Sequence, residues 1–309
     1  DFVGWMNKLD EPDYQKLDQL ARETAAWVRY PDDIARMVYN LGVALHKQNV
    51  RYAEVAVIPS LYTDIGISYQ DLLAALNDGR DRVSRAWNVR MDWLMAMPRE
   101  RPRKSDEVAR WATNSYSQKG NVVGLALVGN EQEQPIAQFK KAFATAEKKV
   151  LPRVTHLHSF DDVSAQYIDV LEVASPERVT DCWNVLDDGN FLSLLVERDL
   201  PVVVTPKREV LLERIETLAA YPFRDLLDSQ VNLVLGSGMP ELYKANLNDA
   251  YLAAVQTGQV TVDELEMIAI NGVRATLLTT VEKHAMIEEF QEAYAALREE
   301  HLAEVEEVE

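Results

Sequence analysis

VVGLALVGNEQEQPIAQFKKAFATAEKKVLPRVTHLH, residues 122–158, contains one complete strand–helix–strand unit. Its first seven residues form an unbroken apolar run, the pattern of a strand buried on both faces. After Gly129-Asn130-Glu131, residues Ile136, Phe139, Phe143 and Ala146 recur at helical spacing. A second apolar run follows at 152–158. Two such strands joined by a helix run parallel, because an antiparallel pair needs only a tight turn. Outward from this unit the same alternation repeats. Further β-rich runs stand at 52–58 and 89–97 on one side, and at 178–183, 201–205 and 231–236 on the other. Helical stripes separate them: Leu72, Leu73, Leu76, Val83 and Trp87; Val163, Tyr167, Val170 and Leu171; Leu211, Leu212, Ile215 and Leu218. The repeat has the size of a βα unit, so the spacing predicts an α/β fold of the (β/α)8 TIM-barrel kind. Seven strands are legible where a closed barrel has eight. Residues 1–12, DFVGWMNKLDEP, make a poor core strand, so the first strand is expected upstream of Asp1 or from a partner.

The flanks are helical. Residues 12–47 read as two helices split at Tyr30-Pro31-Asp32-Asp33, and 243–256, 262–280 and 283–306 as three more. The last carries Ile287, Phe290, Tyr294 and Leu297 inward and a glutamate-rich face to solvent. No low-complexity linker divides the chain, which reads as a single domain over 1–309: a helical cover at 1–48, βα units at 49–258 and closing helices at 259–309. A barrel lacking one strand leaves a seam, where a homo-oligomer or protein partner would pair. Trp5, Met6, Trp27 and Val28 are expected to face it.

Charge narrows the function. The 309 residues carry 32 basic and 50 acidic side chains, a net of −18. Such a chain is repelled by phosphate backbones and anionic headgroups, so neither nucleic acid nor membrane is an expected partner. A cytoplasmic location is expected. The single cysteine, Cys182, excludes an internal disulfide; with no feature that would lower its pKa, it reads as a small hydrophobe.

In a parallel barrel the reactive groups sit at the carboxyl ends of the strands. Those ends carry Gly129-Asn130-Glu131, His156-Leu157-His158-Ser159, Thr180-Asp181-Cys182-Trp183, Thr205-Pro206-Lys207-Arg208 and Ser237-Gly238-Met239-Pro240. His156 and His158 share one face of a strand. With Asp181 at the next strand end they supply three donors suited to zinc or iron. The plainer reading has one histidine hydrogen-bonded at the rim and the other in a loop. Lys207 and Arg208 read as an anion clamp or, more plainly, as a solvated or ion-paired rim.

At these strand ends the chain resembles the adenosine deaminase family of metal-dependent hydrolases, from about residue 30 to residue 290. RYAEVAVIPS at 51–60 is similar to the family's second strand, and VVGLALVGNE at 122–131 to its fourth, whose glycine contacts the purine. LPRVTHLHS stands where the family has its HAGE block, ERVTDCW at 177–183 where it has GHG, and NLVLGSGMP at 232–240 where it has TDDP. NGVRATLL at 271–278 resembles the family's closing helix. The resemblance implies a TIM-type barrel. It also implies a zinc held by an HxH pair, the HAGE histidine and the TDDP aspartate, and a substrate that is a purine nucleoside or related amine.

The departures fall on the chemistry. His156 keeps the HAGE histidine, but Ser159 replaces the proton-donating glutamate. Asp181 replaces the GHG histidine, Gly238 and Met239 replace both aspartates, and the first strand that carries the family's HxH pair is not found in residues 1–309. A hydroxyl cannot hand a ring nitrogen a proton as a carboxylic acid does, and zinc needs three or four protein ligands. The sequence therefore points to a barrel that has lost purine deamination and serves to bind a ligand or protein, with Gly129, Glu131, His156, Ser159 and Asp181 lining the ligand site and no cofactor. The alternative is a zinc-dependent hydrolase rebuilt around His156, His158 and Asp181.

Overall fold

A computed structural model describes residues 1–14, 16–118, 120–157, 164–182, 185–257 and 259–302. Helices α1 (Phe2–Asp10), α2 (Leu17–Ala25) and α3 (Pro31–Lys47) precede β1 (Tyr52–Val57). Then come α4 (Pro59–Thr63), α5 (Tyr69–Trp87), β2 (Arg90–Pro98), α6 (Ser105–Ser117), β3 (Val122–Val128), α7 (Lys140–Lys148) and β4 (Arg153–His156). After α8 (Ser164–Ala174) and β5 (Arg178–Thr180) follow α9 (Gly189–Glu197), β6 (Val202–Val204), α10 (Pro206–Leu211), α11 (Phe223–Asp228) and β7 (Leu233–Leu235). Four helices close the chain: α12 (Pro240–Tyr243), α13 (Leu247–Gln256), α14 (Val262–Arg274) and α15 (Thr280–His301).

All seven expected strands form, every neighbouring pair is parallel, and their order in the sheet is their order in the chain. The result is an α/β half-barrel of the TIM type, with β1 and β7 as its edges among the described residues. Its convex face meets the helices through the main core, in which Trp93, Phe139, Phe143, Tyr167 and Phe191 are almost wholly buried. Its concave face carries a smaller cluster of Leu94, Ala96, Ala126 and Val154, packed by Ile58, Val128 and Leu277.

Below that cluster lies a polar floor. Arg178 Nη2 is 2.5 Å from Glu54 Oε2, which joins β5 to β1 across the concave face, and both side chains are buried. Arg178 Nη1 donates to Ala275 O at 2.9 Å, and Glu54 Oε1 accepts from Leu277 N at 2.5 Å and from Tyr52 Oη at 3.1 Å. The stretch between α14 and α15 is thereby tied into the half-barrel.

Several expectations need correction. The strands at 152–158, 178–183, 201–205 and 231–236 are shorter than their apolar runs, because pairing with short neighbours ends them. Residues 2–10 form a helix with no buried residue; Phe2, Trp5, Met6 and Leu9 stand at helical spacing along it. The stripe of Leu211, Leu212, Ile215 and Leu218 is not one helix: α10 stops at Leu211, and Glu213 takes a left-handed φ of 56°. Leu297 is 50% exposed rather than inward. Trp5, Trp27 and Phe2 pack on one another with ring centroids 5.3–5.5 Å apart, leaving Met6 and Trp27 partly exposed. Val28 packs on the main core.

Helix α15 begins at a capping box in which Glu282 accepts from the Thr279 backbone and hydroxyl, and it also meets the Arg90 guanidinium. The Thr279 hydrogen bonds, then the Arg90 one, hold the Glu282 carboxyl at about 2. A carboxyl depressed by folding contributes stability that is complete above its unfolded value, near ~4.3, and is lost as pH falls toward the folded value. Melting temperature measured across that window is expected to fall less steeply in Glu282→Gln than in the unaltered chain; parallel curves would refute this role.

Candidate functional site

Three strand ends reverse with left-handed backbone. Gly129 after β3 has φ 95°, Asp181 after β5 has φ 60°, and Gly238 beyond β7 has φ 59°. Asp is one of the few residues with a side chain that visits this region, and its occurrence at a strand end marks a constrained position. The reversal leaves Asp181 only 6% exposed.

His156, the last residue of β4, lies beside it. His156 Nδ1 is 3.7 Å from Asp181 Oδ2, and Arg208 Nε is 3.8 Å from that same oxygen. Arg208 arrives from α10, which Pro206 starts at its first turn. It is 2% exposed, and its Nη1 is 2.7 Å from Glu209 Oε1. Glu209 Oε2 accepts from Arg214 Nη1, also at 2.7 Å. Tyr221 and Tyr243 bury their rings around this network.

The electrostatics follow from burial and pairing. Burial lowers the His156 pKa, Asp181 works against that, and Arg208 and Arg178 add to it, so the imidazole is neutral at neutral pH. Burial opposes the Arg208 charge, but the Asp181 and Glu209 carboxylates outweigh it and raise its pKa. Burial also pushes the Cys182 thiol well above its ordinary range, with Asp181 adding to the effect, in keeping with an inert small side chain. The arrangement offers a ligand one neutral imidazole and one carboxylate with a fixed cation behind it.

The other sequence-derived candidates separate. Gly129 has its bare face covered by the Glu100 carboxylate, which accepts from Asn130 N at 2.9 Å; a side chain at 129 would collide with Glu100. Glu131 is 3% exposed and lies in the field of the buried Arg99 guanidinium, and its own charge reaches the Cys182 thiol beside Asp181. His158, Ser159 and Trp183 lie outside the described residues, as does Asp161. Lys207 faces a different place: with Thr205, Ser237 and Asn246 it lines a shallow, solvent-open cleft. Arg208 is neither rim nor clamp but a buried ion pair. The stretch from Val202 to Leu211 also holds Thr205 and Lys207, so nothing in the sequence set apart Arg208 and Glu209 as the charges that turn inward.

Among the described residues no three His, Cys, Asp or Glu side chains are placed to hold a metal ion. Of the zinc or iron set of His156, His158 and Asp181, only the His156–Asp181 pair lies within the described residues. No helix is long and apolar enough to cross a membrane, again among the described residues.

A family model described as adenosine deaminase matches residues 3–293. The chain is 26% identical over 270 residues to aminodeoxyfutalosine deaminase of Streptomyces coelicolor, covering 87% of this chain and 70% of that protein. It is 25% identical over 255 residues to an adenine deaminase of Chlorobium phaeobacteroides, covering 81% and 75%. Among solved structures, an adenine deaminase of Arthrobacter aurescens superposes with a TM-score of 0.85 at 20% identity, covering 94% of this chain and 88% of that one. A zinc-bound amidohydrolase of Burkholderia ambifaria gives 0.83 at 20%, covering 89% and 77%. An Arabidopsis protein solved with IMP gives 0.84 at 18%, covering 94% and 87%.

Proposed function

The chain belongs to the adenosine deaminase family, and from that premise we propose that its strand-end site binds a purine base, nucleoside or nucleotide without deaminating it. The observation that carries this reading is the Asp181 carboxylate, held 3.7 Å from His156 and 3.8 Å from Arg208 at a strand end that the family uses for chemistry. A purine amine offers N–H donors to such a carboxylate, and the neutral imidazole can donate to or accept from a ring nitrogen. Purine-directed binding is supported by relatives named as adenine deaminases and by a neighbour solved with IMP.

Zinc, typical of this family and present in one neighbour, does not fit the described residues. His156 and Asp181 are two donors where three or four are needed. Gly238 offers no third, and the carboxylate already faces a guanidinium. No hydrolytic step is routed through a metal here.

A second reading has the comparisons behind it. The curated relatives reported above are named as deaminases, which weighs more toward retained deamination than toward its loss. That reading needs a hydrolytic centre rebuilt with His158 beside His156 and Asp181.

One experiment separates the two. Calorimetric titration with adenine, adenosine and AMP is expected to show saturable binding of at least one of them, weakened about tenfold or more in Asp181→Asn, with no ammonia released. Absence of binding by all three would overturn the proposal. Ammonia release that disappears in His158→Ala would establish the second reading instead.

A further inference from the structure

We infer that the Arg208 guanidinium is the resident cation of this site, standing in place of a metal ion, with the Tyr243 ring filling the space of the missing third ligand. A carboxylate as buried as Asp181 needs a counter-charge. Among the described residues two groups approach its Oδ2, His156 Nδ1 at 3.7 Å and Arg208 Nε at 3.8 Å, and of these only the guanidinium is permanently charged. The positive charge is therefore arginine's. An arginine cannot shed its proton to let a metal in, so it occupies the role at every accessible pH.

Three further features support this assignment. A metal coordinated by Asp181 would lie about 2 Å from the carboxylate, in the near field of the guanidinium, and no described side chain would offset that repulsion. Among the described residues of the network the charges already balance, with Arg208 and Arg214 against Asp181 and Glu209. At Gly238 the space for a ligating side chain is gone: a Cβ there would come within 2.7 Å of Tyr243 Cε2 and 3.3 Å of Thr205 Cγ2. Tyr243 is also hydrogen-bonded to Arg208, so one residue both fills the gap and steadies the cation. Arg208 is a positioning residue in this arrangement, acting on ligand through Asp181. The inference stands whether or not a purine binds.

The test uses the full chain with zinc(II) and cobalt(II) as probes. After loading and desalting, the unaltered protein is expected to retain less than about a tenth of an equivalent of either metal, and its melting temperature to be unmoved by zinc or by a chelator. Arg208→Met is expected to lower the melting temperature by roughly 5–10 °C, because it strands a buried carboxylate. Adding Asp181→Asn to that variant should recover at least part of the loss, a coupling that a mere packing role for Arg208 would not produce. Should Arg208→Met fail to fold, Arg208→Lys with and without Asp181→Asn reads the same coupling. Retention of close to one equivalent of metal that His156→Ala abolishes would overturn the inference, and so would additive losses in the double variant.

Discussion

Replacing Arg178 by methionine is expected to cost about 3–5 kcal/mol of folding stability, the usual penalty for removing one partner of a buried ion pair. Methionine keeps most of the volume, so the loss reports charge rather than a cavity. Glu54, 5% exposed at its side chain, would remain on the concave face with Tyr52 and the Leu277 backbone as its donors and only the more distant Lys283 charge to face it. The Ala275 carbonyl would lose its donor as well. Because this pair spans β5 and β1, its removal should loosen the half-barrel as a whole. Urea denaturation gives the measurement. A loss below about 1 kcal/mol, the level of an exposed pair, would show that the floor is wetter than the burial of these side chains implies. Adding Glu54→Gln should return part of the stability, since the stranded charge is then gone.

Putting back the carboxylate that the resemblance expects after β7 should also fail. Gly238→Asp is expected to destabilise the protein by about 2–3 kcal/mol and to leave it without zinc. Roughly 1 kcal/mol comes from placing a side chain at a φ of 59°, and about 1–2 kcal/mol from forcing Tyr243 and Thr205 away from a Cβ that has no room. Stability and zinc retention are read on the same sample. A variant that matched the parent in stability and held an equivalent of zinc would mean that Tyr243 yields freely and that one substitution separates this chain from a metal site.

How much of this was legible beforehand differs between fold and site. The seven strands were readable because a strand covered on both faces must be apolar throughout, and such runs need no context to be recognised. Their lengths were not, since β5, β6 and β7 end where their neighbours stop pairing. Helix α1 was legible too, in the spacing of Phe2, Trp5, Met6 and Leu9, but a reading of the stretch only as a strand passes over it. The stripe from Leu211 to Leu218 misled because apolar spacing cannot register a left-handed turn at Glu213. At the site, His156 and Asp181 could be named from strand-end position alone. Arg208 and Tyr243 could not be paired with them: that depends on which way α10 and α12 turn their side chains, a property of packing between distant segments. Glu100 over Gly129 was invisible for the same reason, with 29 positions separating the two residues.

Helix α15 is attached to the rest of the molecule in an unusual manner. None of its residues is fully buried; Ile287, Phe290 and Tyr294 are only half-covered. Much of its fastening is ionic: Arg90 to Glu282, Arg51 to Glu289, and Arg298 to Glu266 and Asp263. Exposed pairs weaken as added electrolyte shortens the screening length, whereas apolar burial does not. The two ends of the protein therefore answer to different solvents. The half-barrel is governed by its apolar core and its buried charges, and the closing helix by ionic strength. Concentrated salt can free that helix as far back as the Leu277 anchor while the sheet that presents Asp181 and His156 stays shut.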